Sequence, residues 1–345
     1  MSHYVLSSTT RIADFADEPF DLQPLPRTEW ETGDYVGAEL LPGPGVPYVV
    51  ENPHGRMVEA NAGDVVIGAL GRRAATLEAT GDWEAVGGDL LMHSLTPAGI
   101  FGRLTSKAVS LKALPALRYC GHVTRDGQRR TMSDYVRVET GDDPPPPVIL
   151  IIGTSMDAGK TVAAKAIVRG LKGMGLRVGG AKLTGVARYR DILAMSDAGA
   201  DVIADFIDGG LPSTVVDEPT YTRALRTVMA RLARVRPDVV VVEAGASPLE
   251  PYNGAVAVRE LGPHVLCTVL CASDPYAVVG VMTAFETRPD LVSGRATSTD
   301  AGIALVERLA GIPALNLLDP ASGPSLQELL EAKVAVGARR PAARA

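Results

Sequence analysis

The pattern of hydrophobic and polar positions divides the chain into two parts. From Tyr48 to Glu139, short apolar runs are separated by turn signals, and Asp126-Gly127 indicates a hairpin because its tight turn needs positive φ angles. From Val148 onward, buried apolar runs alternate with segments whose apolar residues recur every three or four positions. The first part therefore predicts a smaller β-rich domain. The second part predicts a doubly wound, mostly parallel α/β sheet.

Four consecutive prolines, 144–147, separate the two parts. A proline run is stiff and extended and lacks the backbone donors that a sheet needs, so it suits an interdomain linker. We therefore predict a β-rich domain at residues 1–143 and an α/β domain at residues 148–335. Residues 336–345 are predicted to be a disordered tail.

Three local patterns carry weaker predictions. A short helix is expected near Thr96–Leu117, and a last strand is expected at Ala314–Leu318. Ser325 stands three residues before Glu328, which is the spacing of a capping box that opens a C-terminal helix.

Charge and composition exclude several classes of function. The chain has 34 Lys and Arg against 40 Asp and Glu, a net charge of −6 without a basic stripe, which argues against a nucleic-acid partner. No apolar run approaches the roughly 20 residues of a membrane span. We therefore expect a cytoplasmic protein without a membrane partner, in which Cys120, Cys267 and Cys271 are free thiols.

The strongest chemical signal is the sequence VILIIGTSMDAGKT at residues 148–161. It predicts a buried strand, a phosphate-binding loop and a helix whose N-terminus points its backbone N–H groups at a triphosphate. Lys160 would bridge the β- and γ-phosphates of ATP, and the Thr161 hydroxyl would ligate Mg²⁺. The predicted nucleotide contacts are Gly153, Thr154, Asp157, Ala158, Gly159, Lys160 and Thr161.

A second metal contact is expected from Glu243, which ends the apolar run VVVVE. A carboxylate at the tip of the strand beside the phosphate loop lies where the Mg²⁺ shell needs another protein oxygen. One of Asp191, Asp197 and Asp205 would complete the shell, and the spacing does not choose among them.

Contacts to a small anionic substrate are expected at two further places. Lys182 and Thr184 lie at the end of the predicted second strand, and Tyr252 and Asn253 lie in the segment that follows Glu243. A lysine near a transferring phosphoryl group holds an anion or neutralises charge in the transition state. The predicted catalytic residues are therefore Lys160, Lys182 and Glu243.

These motifs resemble the dethiobiotin synthetase-like branch of P-loop proteins. In that branch the loop reads G-T-x-x-x-x-G-K-T, as in GTSMDAGKT here, with one residue more than the usual spacing. The resemblance implies that Thr161 and Glu243 contact metal and that Lys160 and Lys182 contact anions.

The sequence is more similar still to a P-loop family first known as a domain of unknown function, which includes D-glutamate N-acetyltransferases. The similar stretches are VIADFIDGG at Val202–Gly210 and VVEAGASPLEPYNG at Val241–Gly254. The resemblance spans about Val148 to Pro320 and implies a homodimer. The β-rich residues 1–143 depart from the α/β N-terminal part of that family.

Three functions follow as expectations. The first is an enzyme that uses Mg-ATP to phosphorylate a small carboxylate or carbamate and then closes an amide-type or ring bond, as a ligase does. The second is a CoA-dependent N-acyltransferase acting on an amino acid, in which the loop holds the phosphates of CoA. The third is a regulatory GTPase, although the Asn-Lys-x-Asp motif that reads guanine is absent from the sequence.

Overall fold

In the computed structural model, which describes residues 4–137 and 144–337, the chain packs into two compact units. The N-terminal unit contains the described residues up to 137 together with Val186–Arg190 and Phe206–Val216. The C-terminal unit contains residues 144–185, Asp191–Asp205 and the chain from Asp217. The units therefore differ from the predicted domains, which assigned both short segments to the P-loop domain. Most of the predicted tail lies outside the described residues.

The N-terminal unit is built from β-strands, as predicted. Its strands are β1 (Tyr4–Leu6), β2 (Asp21–Gln23), β3 (Tyr35–Leu40), β4 (Tyr48–Glu51), β5 (Met57–Ala60), β6 (Val65–Leu70), β7 (Arg72–Ala74), β8 (Ala79–Asp82), β9 (Leu91–Thr96), β10 (Ile100–Lys107), β11 (Ala116–Arg125) and β12 (Gln128–Arg129). Short 3₁₀ helices lie at Ser8–Ile12, Arg27–Glu29, Trp83–Ala85 and Met132–Tyr135.

Five of these strands close into a ring. The pairing runs β6-β3-β11-β9-β10, and β10 pairs again with β6, so the sheet forms a small barrel around buried residues such as Val36, Leu70 and Phe101. The predicted hairpin is confirmed between β11 and β12, where Asp126 and Gly127 have φ angles of 53° and 72°. Closure removes most of the free strand edges.

The helix expected near Thr96–Leu117 is wrong, because half of this stretch is strand and the rest is turn or irregular. β9 turns at Gly99, which has a φ of 88°, into β10, and β11 begins at Ala116. Strand β10 pairs locally with β9, but it also pairs with β6 and β8, which are more distant in sequence and which a local pattern does not reveal.

A buried carboxylate binds one of the two returning segments within the N-terminal unit. Glu51 accepts hydrogen bonds from the Ser8 hydroxyl at 2.6 Å and from the backbone N–H groups of Tyr189 and Arg190 at 2.7 and 2.9 Å. A charge-assisted bond to backbone N–H groups is strong, so Glu51 holds Tyr189 and Arg190 within the N-terminal unit.

The C-terminal unit alternates strands and helices, as predicted. The strands are β13 (Val148–Gly153), β14 (Val178–Thr184), β15 (Val202–Asp205), β16 (Val239–Ala244), β17 (Val265–Ala272) and β18 (Leu291–Gly294). The helices are α1 (Lys160–Gly173), α2 (Tyr189–Asp197), α3 (Glu218–Ala233), α4 (Gly254–Leu261), α5 (Pro275–Ala284), α6 (Asp300–Ala310) and α7 (Gly323–Gly337), with 3₁₀ helices at Gly262–His264, Arg295–Thr297 and Pro320–Ser322.

All six strands are parallel, in the order β15-β14-β16-β13-β17-β18. The predicted fold class, a doubly wound parallel sheet preceded by a β-rich region, is confirmed. In such a sheet the carboxyl ends of all the strands meet at one edge, where ligands bind.

Two predictions near the C-terminus are wrong. At Ala314–Leu318 only a single bridge forms, between Ala314 and Val292, because the neighbouring backbone groups bond to side chains, including the Thr297 hydroxyl to Leu315 O at 2.9 Å. Helix α7 begins at Gly323, so Ser325 lies inside its first turn rather than at its cap. None of the helices within the described residues is long and apolar enough to cross a membrane.

Candidate functional site

The predicted site residues lie along one edge of the parallel sheet in the C-terminal unit. The strand register places Lys182 of β14 between Asp205 of β15 and Glu243 of β16, and pairs Glu243 with Ile151 of β13. Because β13 ends two residues later at Gly153, the phosphate loop starts beside Glu243. The fold therefore brings together the acidic, lysine and loop motifs.

The phosphate loop connects β13 to α1. Asp157 and Gly159 take positive φ angles of 60° and 103°, and α1 begins at Lys160. A Cβ atom on Gly153 would lie 2.8 Å from the Lys160 ammonium, so glycine is needed for the lysine to fold back over the strand end. Lys160 Nζ donates to Ser155 O at 2.7 Å, which closes the loop around the lysine.

Neighbouring strand ends hold this loop in place. Thr154 N donates to Cys271 O at 3.0 Å, and Ser273 N donates to the Thr154 hydroxyl at 3.1 Å. On the other side, a Cβ atom on Gly294 would lie only 2.1 Å from Ala158 O. Gly294 was not among the predicted site residues, although it closely follows the apolar residues Leu291 and Val292.

Thr161 and Glu243 form the candidate metal contact. The Thr161 hydroxyl donates to Glu243, with Oγ1–Oε distances of 3.2 and 3.5 Å. Burial raises the pKa of Glu243, and the charges of Lys182 and Lys160 oppose that rise. A hydroxyl and a carboxylate oxygen are ligands that suit Mg²⁺, which takes few protein oxygens and completes its shell with phosphates and water.

The donor set fits a metal held mainly by a nucleotide rather than by protein alone. In the part of the chain that the structure describes, His, Cys, Asp and Glu form no group of three or more that could hold a metal ion. Two protein oxygens, from Thr161 and Glu243, would therefore be supplemented by phosphate oxygens. That division of ligands is usual for Mg²⁺ in nucleotide sites.

Lys182 is buried and bonds to Asp191 of α2, with an Nζ–Oδ2 distance of 2.6 Å. Burial acts to lower the pKa of Lys182, but the carboxylates of Asp191 and Glu243 outweigh it and raise the pKa. In Lys160 the balance is reversed: burial lowers its pKa and Glu243 only partly offsets the effect. The two lysines therefore occupy different electrostatic surroundings.

The remaining predicted residues are more dispersed. Asp205 is buried beside Lys182, whereas Asp197 is exposed at the last position of α2. The Thr184 hydroxyl is buried and has no hydrogen-bond partner among the described residues. The roles of Asp191 and Asp197 in the metal shell stay predictions.

The segment after Glu243 contains buried residues and internal hydrogen bonds. Tyr252 is fully buried, and Asn253, with a φ of 59°, immediately precedes α4. Glu250 accepts a hydrogen bond from Ser247 N at 2.8 Å. Substrate contacts from Tyr252 and Asn253 stay predictions.

Comparisons with known proteins give distant structural likenesses. No family model and no curated protein matches the chain. A DUF1611 family protein from Anabaena variabilis is 16% identical with a TM-score of 0.40, over 58% of this chain and 61% of that chain, which is less than two thirds of its length.

Two further solved structures are similar at the same level. HypB from Helicobacter pylori in complex with nickel is 15% identical with a TM-score of 0.38, over 56% of this chain and 88% of that chain. Chloroplast FtsY from Physcomitrella patens is 15% identical with a TM-score of 0.35, over 56% and 67%. The P-loop fold of the C-terminal unit follows from its own strand order, loop and helix. Membership of the dethiobiotin synthetase-like branch stays an expectation.

Proposed function

We propose that the C-terminal unit binds a nucleoside triphosphate with Mg²⁺ and uses it to phosphorylate a small carboxylate or carbamate. The observation that supports this most is the contact between the Thr161 hydroxyl and Glu243, 3.2 Å apart, with Lys160 and Lys182 close enough to influence the Glu243 carboxylate. Thr161 and Glu243 supply oxygen ligands for a metal. Lys160 and Lys182 supply positive charge for phosphate and substrate oxygens.

In this proposal a substrate carboxylate oxygen attacks the γ-phosphorus, and the bond from that phosphorus to the bridging oxygen breaks. The nucleoside diphosphate leaves, and the acyl phosphate is then attacked at its carbonyl carbon by a nitrogen atom as inorganic phosphate departs. Lys160 neutralises charge on the β- and γ-phosphates, and Lys182 holds the anionic substrate. Mg²⁺, when bound, adds a Lewis acid on the phosphate oxygens.

The test is release of inorganic phosphate by the full chain, measured with ATP and with GTP and with a panel of small carboxylic acids, each in the presence of ammonium as the nitrogen nucleophile. We expect release that depends on the acid, is lost in Lys160→Ala and persists in Lys165→Ala, a change one turn further along α1. Comparing ATP with GTP shows which base the protein prefers, since the phosphate loop can bind the phosphates of either nucleotide.

The alternative, acyl transfer from CoA, predicts a different outcome. No phosphate release, together with binding of acetyl-CoA and transfer of its acetyl group to an amino acid, would replace the first proposal by the second. The homodimer is a separate proposal, and sedimentation equilibrium of the full chain tests it.

A further inference from the structure

The turn that follows β18 packs against the phosphate loop. A Cβ atom on Gly294 would lie 2.1 Å from Ala158 O. A Cβ atom on Gly159 would lie 3.1 Å from Gly294 Cα and 4.0 Å from Arg295 N. The two backbones therefore touch where the loop passes into α1, and Arg295 is the first residue of the 3₁₀ helix that follows this contact.

Several interactions hold this turn in one conformation. Gly294 has a φ of 94° and a ψ of −154°, a combination that glycine alone adopts readily. The fully buried Thr297 hydroxyl lies 3.1 Å from Gly294 O and 2.9 Å from Leu315 O. Ser298 N donates to Arg295 O at 3.2 Å. The backbone that carries Arg295 is therefore fixed beside the loop.

The side chain of Arg295, unlike its backbone, is not tied to the protein. It is exposed, and its guanidinium has no hydrogen bond or ion pair among the described residues. Arg226 of the same unit, which is also exposed, pairs with Glu260 at 3.2 Å. The planar guanidinium of Arg295 is therefore available to a ligand that the phosphate loop binds.

The strand order indicates which end of a nucleotide reaches this turn. The candidate metal contact between Thr161 and Glu243 lies on the β16 side of β13, and Mg²⁺ bridges the β- and γ-phosphates of a nucleotide. Strands β17 and β18 lie on the other side of β13. With the terminal phosphates on the β16 side, the nucleoside end lies towards β18 and Arg295.

Resting on the nucleotide binding of the proposed function, we infer that Arg295 binds the nucleoside and stacks its guanidinium on the base. In that proposal Lys160 and the N–H groups of the loop contact the phosphates, which leaves the base without a partner from the loop. A guanidinium plane stacks on flat aromatic rings and is less strongly hydrated than an ammonium. Every base offers such a face, so Arg295 raises the affinity for ATP and GTP alike.

The experiment is a calorimetric titration of the full chain in Mg²⁺ with ATP, with GTP and with ribose 5-triphosphate, which lacks a base. Wild type is compared with Arg295→Ala and with Arg295→Lys, which keeps the charge and removes the planar group. Arg308→Ala is the matched control. It removes the same charge from an exposed arginine in the last turn of α6.

We expect Arg295→Ala to weaken each nucleotide that wild type binds by about tenfold, and Arg308→Ala to match wild type. Arg295→Lys should regain only part of the loss. Ribose 5-triphosphate should bind equally to all four proteins, because it has no base.

Three results would overturn the inference. Unchanged nucleotide affinity in Arg295→Ala would show that Arg295 does not contact the nucleotide. An equal loss for ribose 5-triphosphate would show that Arg295 contacts the phosphates or the ribose. Full recovery in Arg295→Lys would show that charge alone matters, without stacking.

The outcomes separate this inference from the proposed function. A base-dependent loss of affinity in Arg295→Ala, without phosphate release that depends on an acid, would retain the stacking and reject the phosphorylation. Acid-dependent phosphate release with unchanged nucleotide affinity in Arg295→Ala would do the reverse. Failure of wild type to bind either nucleotide would reject both.

Discussion

Both units bury ionisable groups, but in different places: in the core of the N-terminal unit and near strand ends in the C-terminal unit. In the N-terminal unit, His122 Nε2 lies 3.1 Å from Asp34 Oδ2 and its Nδ1 lies 2.5 Å from the Tyr119 hydroxyl. Trp30 packs against the rings of Tyr119 and His122. These side chains bond to one another beside the Trp30 ring, although Asp34 Oδ1 has no hydrogen-bond partner among the described residues.

In the C-terminal unit the charged groups gather near strand ends. Lys160 and Lys182 face Asp191, Asp205 and Glu243 where the parallel strands finish beside a helix N-terminus. Burial of charge is therefore no sign of function by itself. Position at the carboxyl edge of a parallel sheet, beside a phosphate loop, distinguishes the candidate site from the structural cluster.

The largest effect is expected from breaking the structural cluster. His122→Ala removes one hydrogen-bond partner of the buried Asp34 and leaves a cavity beside Trp30, which should lower the free energy of unfolding by about 3–5 kcal/mol. Both tryptophans of the chain, Trp30 and Trp83, lie in the N-terminal unit, so their fluorescence during urea unfolding reports on that unit alone.

The control for that change is His54→Ala, which alters an exposed histidine and should stay within roughly 0.5 kcal/mol of wild type. Nucleotide affinity per folded molecule should be equal in both variants. If His122→Ala lost nucleotide affinity without a lower free energy of unfolding, the cluster would have a functional role. The two units would then not differ in the use of their buried charges.

The next largest effect is expected at the site. Lys160→Ala removes the cation that the loop closes around and should weaken nucleotide binding by about 100-fold, or roughly 2.7 kcal/mol. The midpoint of thermal unfolding should change little. Equilibrium titration with a fluorescent nucleotide measures the affinity, and Lys165→Ala should bind as wild type does. Equal affinity in Lys160→Ala would contradict the assignment.

Two glycines, one in each unit, allow a further comparison with a smaller expected effect. Gly294 and Gly63 have nearly equal φ angles, 94° and 92°, but only at Gly294 would a Cβ meet the phosphate loop, 2.1 Å from Ala158 O. Alanine should strain the backbone at either position, by about 1–3 kcal/mol at Gly294, whose φ of 94° and ψ of −154° are adopted readily by glycine alone. Only Gly294→Ala should also weaken nucleotide binding, by about tenfold.

The comparison of these two alanine variants isolates the contact from the strain. Equal nucleotide affinity in Gly294→Ala and Gly63→Ala would show that β18 does not support the loop.

The smallest effect concerns the thiols. Burial raises the pKa of Cys267 and Cys271 to about 12, and burial also raises the pKa of the half-buried Cys120. At pH 8, Ellman's reagent should react with Cys120 before the other two in the folded protein and with all three in urea. Rapid labelling of Cys271 would show that the strand end beside Lys160 opens.

The same pKa shifts fix the direction of a pH effect on stability. A thiol whose folded pKa is raised favours folding below its ordinary value of 9.0, and this contribution is lost as the pH rises from 9.0 towards 12. Stability should therefore fall over that range, and replacing Cys267 by Ala should make the fall shallower.

The sequence predicted the parts of the molecule that local patterns determine. The strand before Gly153, the helix after Gly159 and the hairpin at Asp126-Gly127 each depend on a few adjacent residues. Two four-residue strands, β15 and β18, were missed because VIAD and LVSG are too short to show a period. Closure of the barrel through β6 and β10 joins distant residues, and no local pattern encodes it.

At the site, the sequence predicted which side chains gather but not how they pair. Lys182 and Glu243 were expected at strand ends, and the register confirms that they are neighbours. The bond from Lys182 to Asp191 depends on how α2 returns after β14, which spacing alone does not determine. The close approach of Gly294 to Ala158 of the phosphate loop likewise joins residues that are distant in sequence.

The proposed metal and nucleotide site is tested most directly by the effect of Mg²⁺ on nucleotide affinity in wild type, Thr161→Ser and Thr161→Ala. We predict that Mg²⁺ tightens binding of ATP or GTP in wild type and Thr161→Ser, which keeps the hydroxyl. In Thr161→Ala we predict that this gain is lost, about tenfold in affinity. Nucleotide binding that is insensitive to Mg²⁺ in all three proteins, or no binding at all, would contradict the proposed metal and nucleotide site.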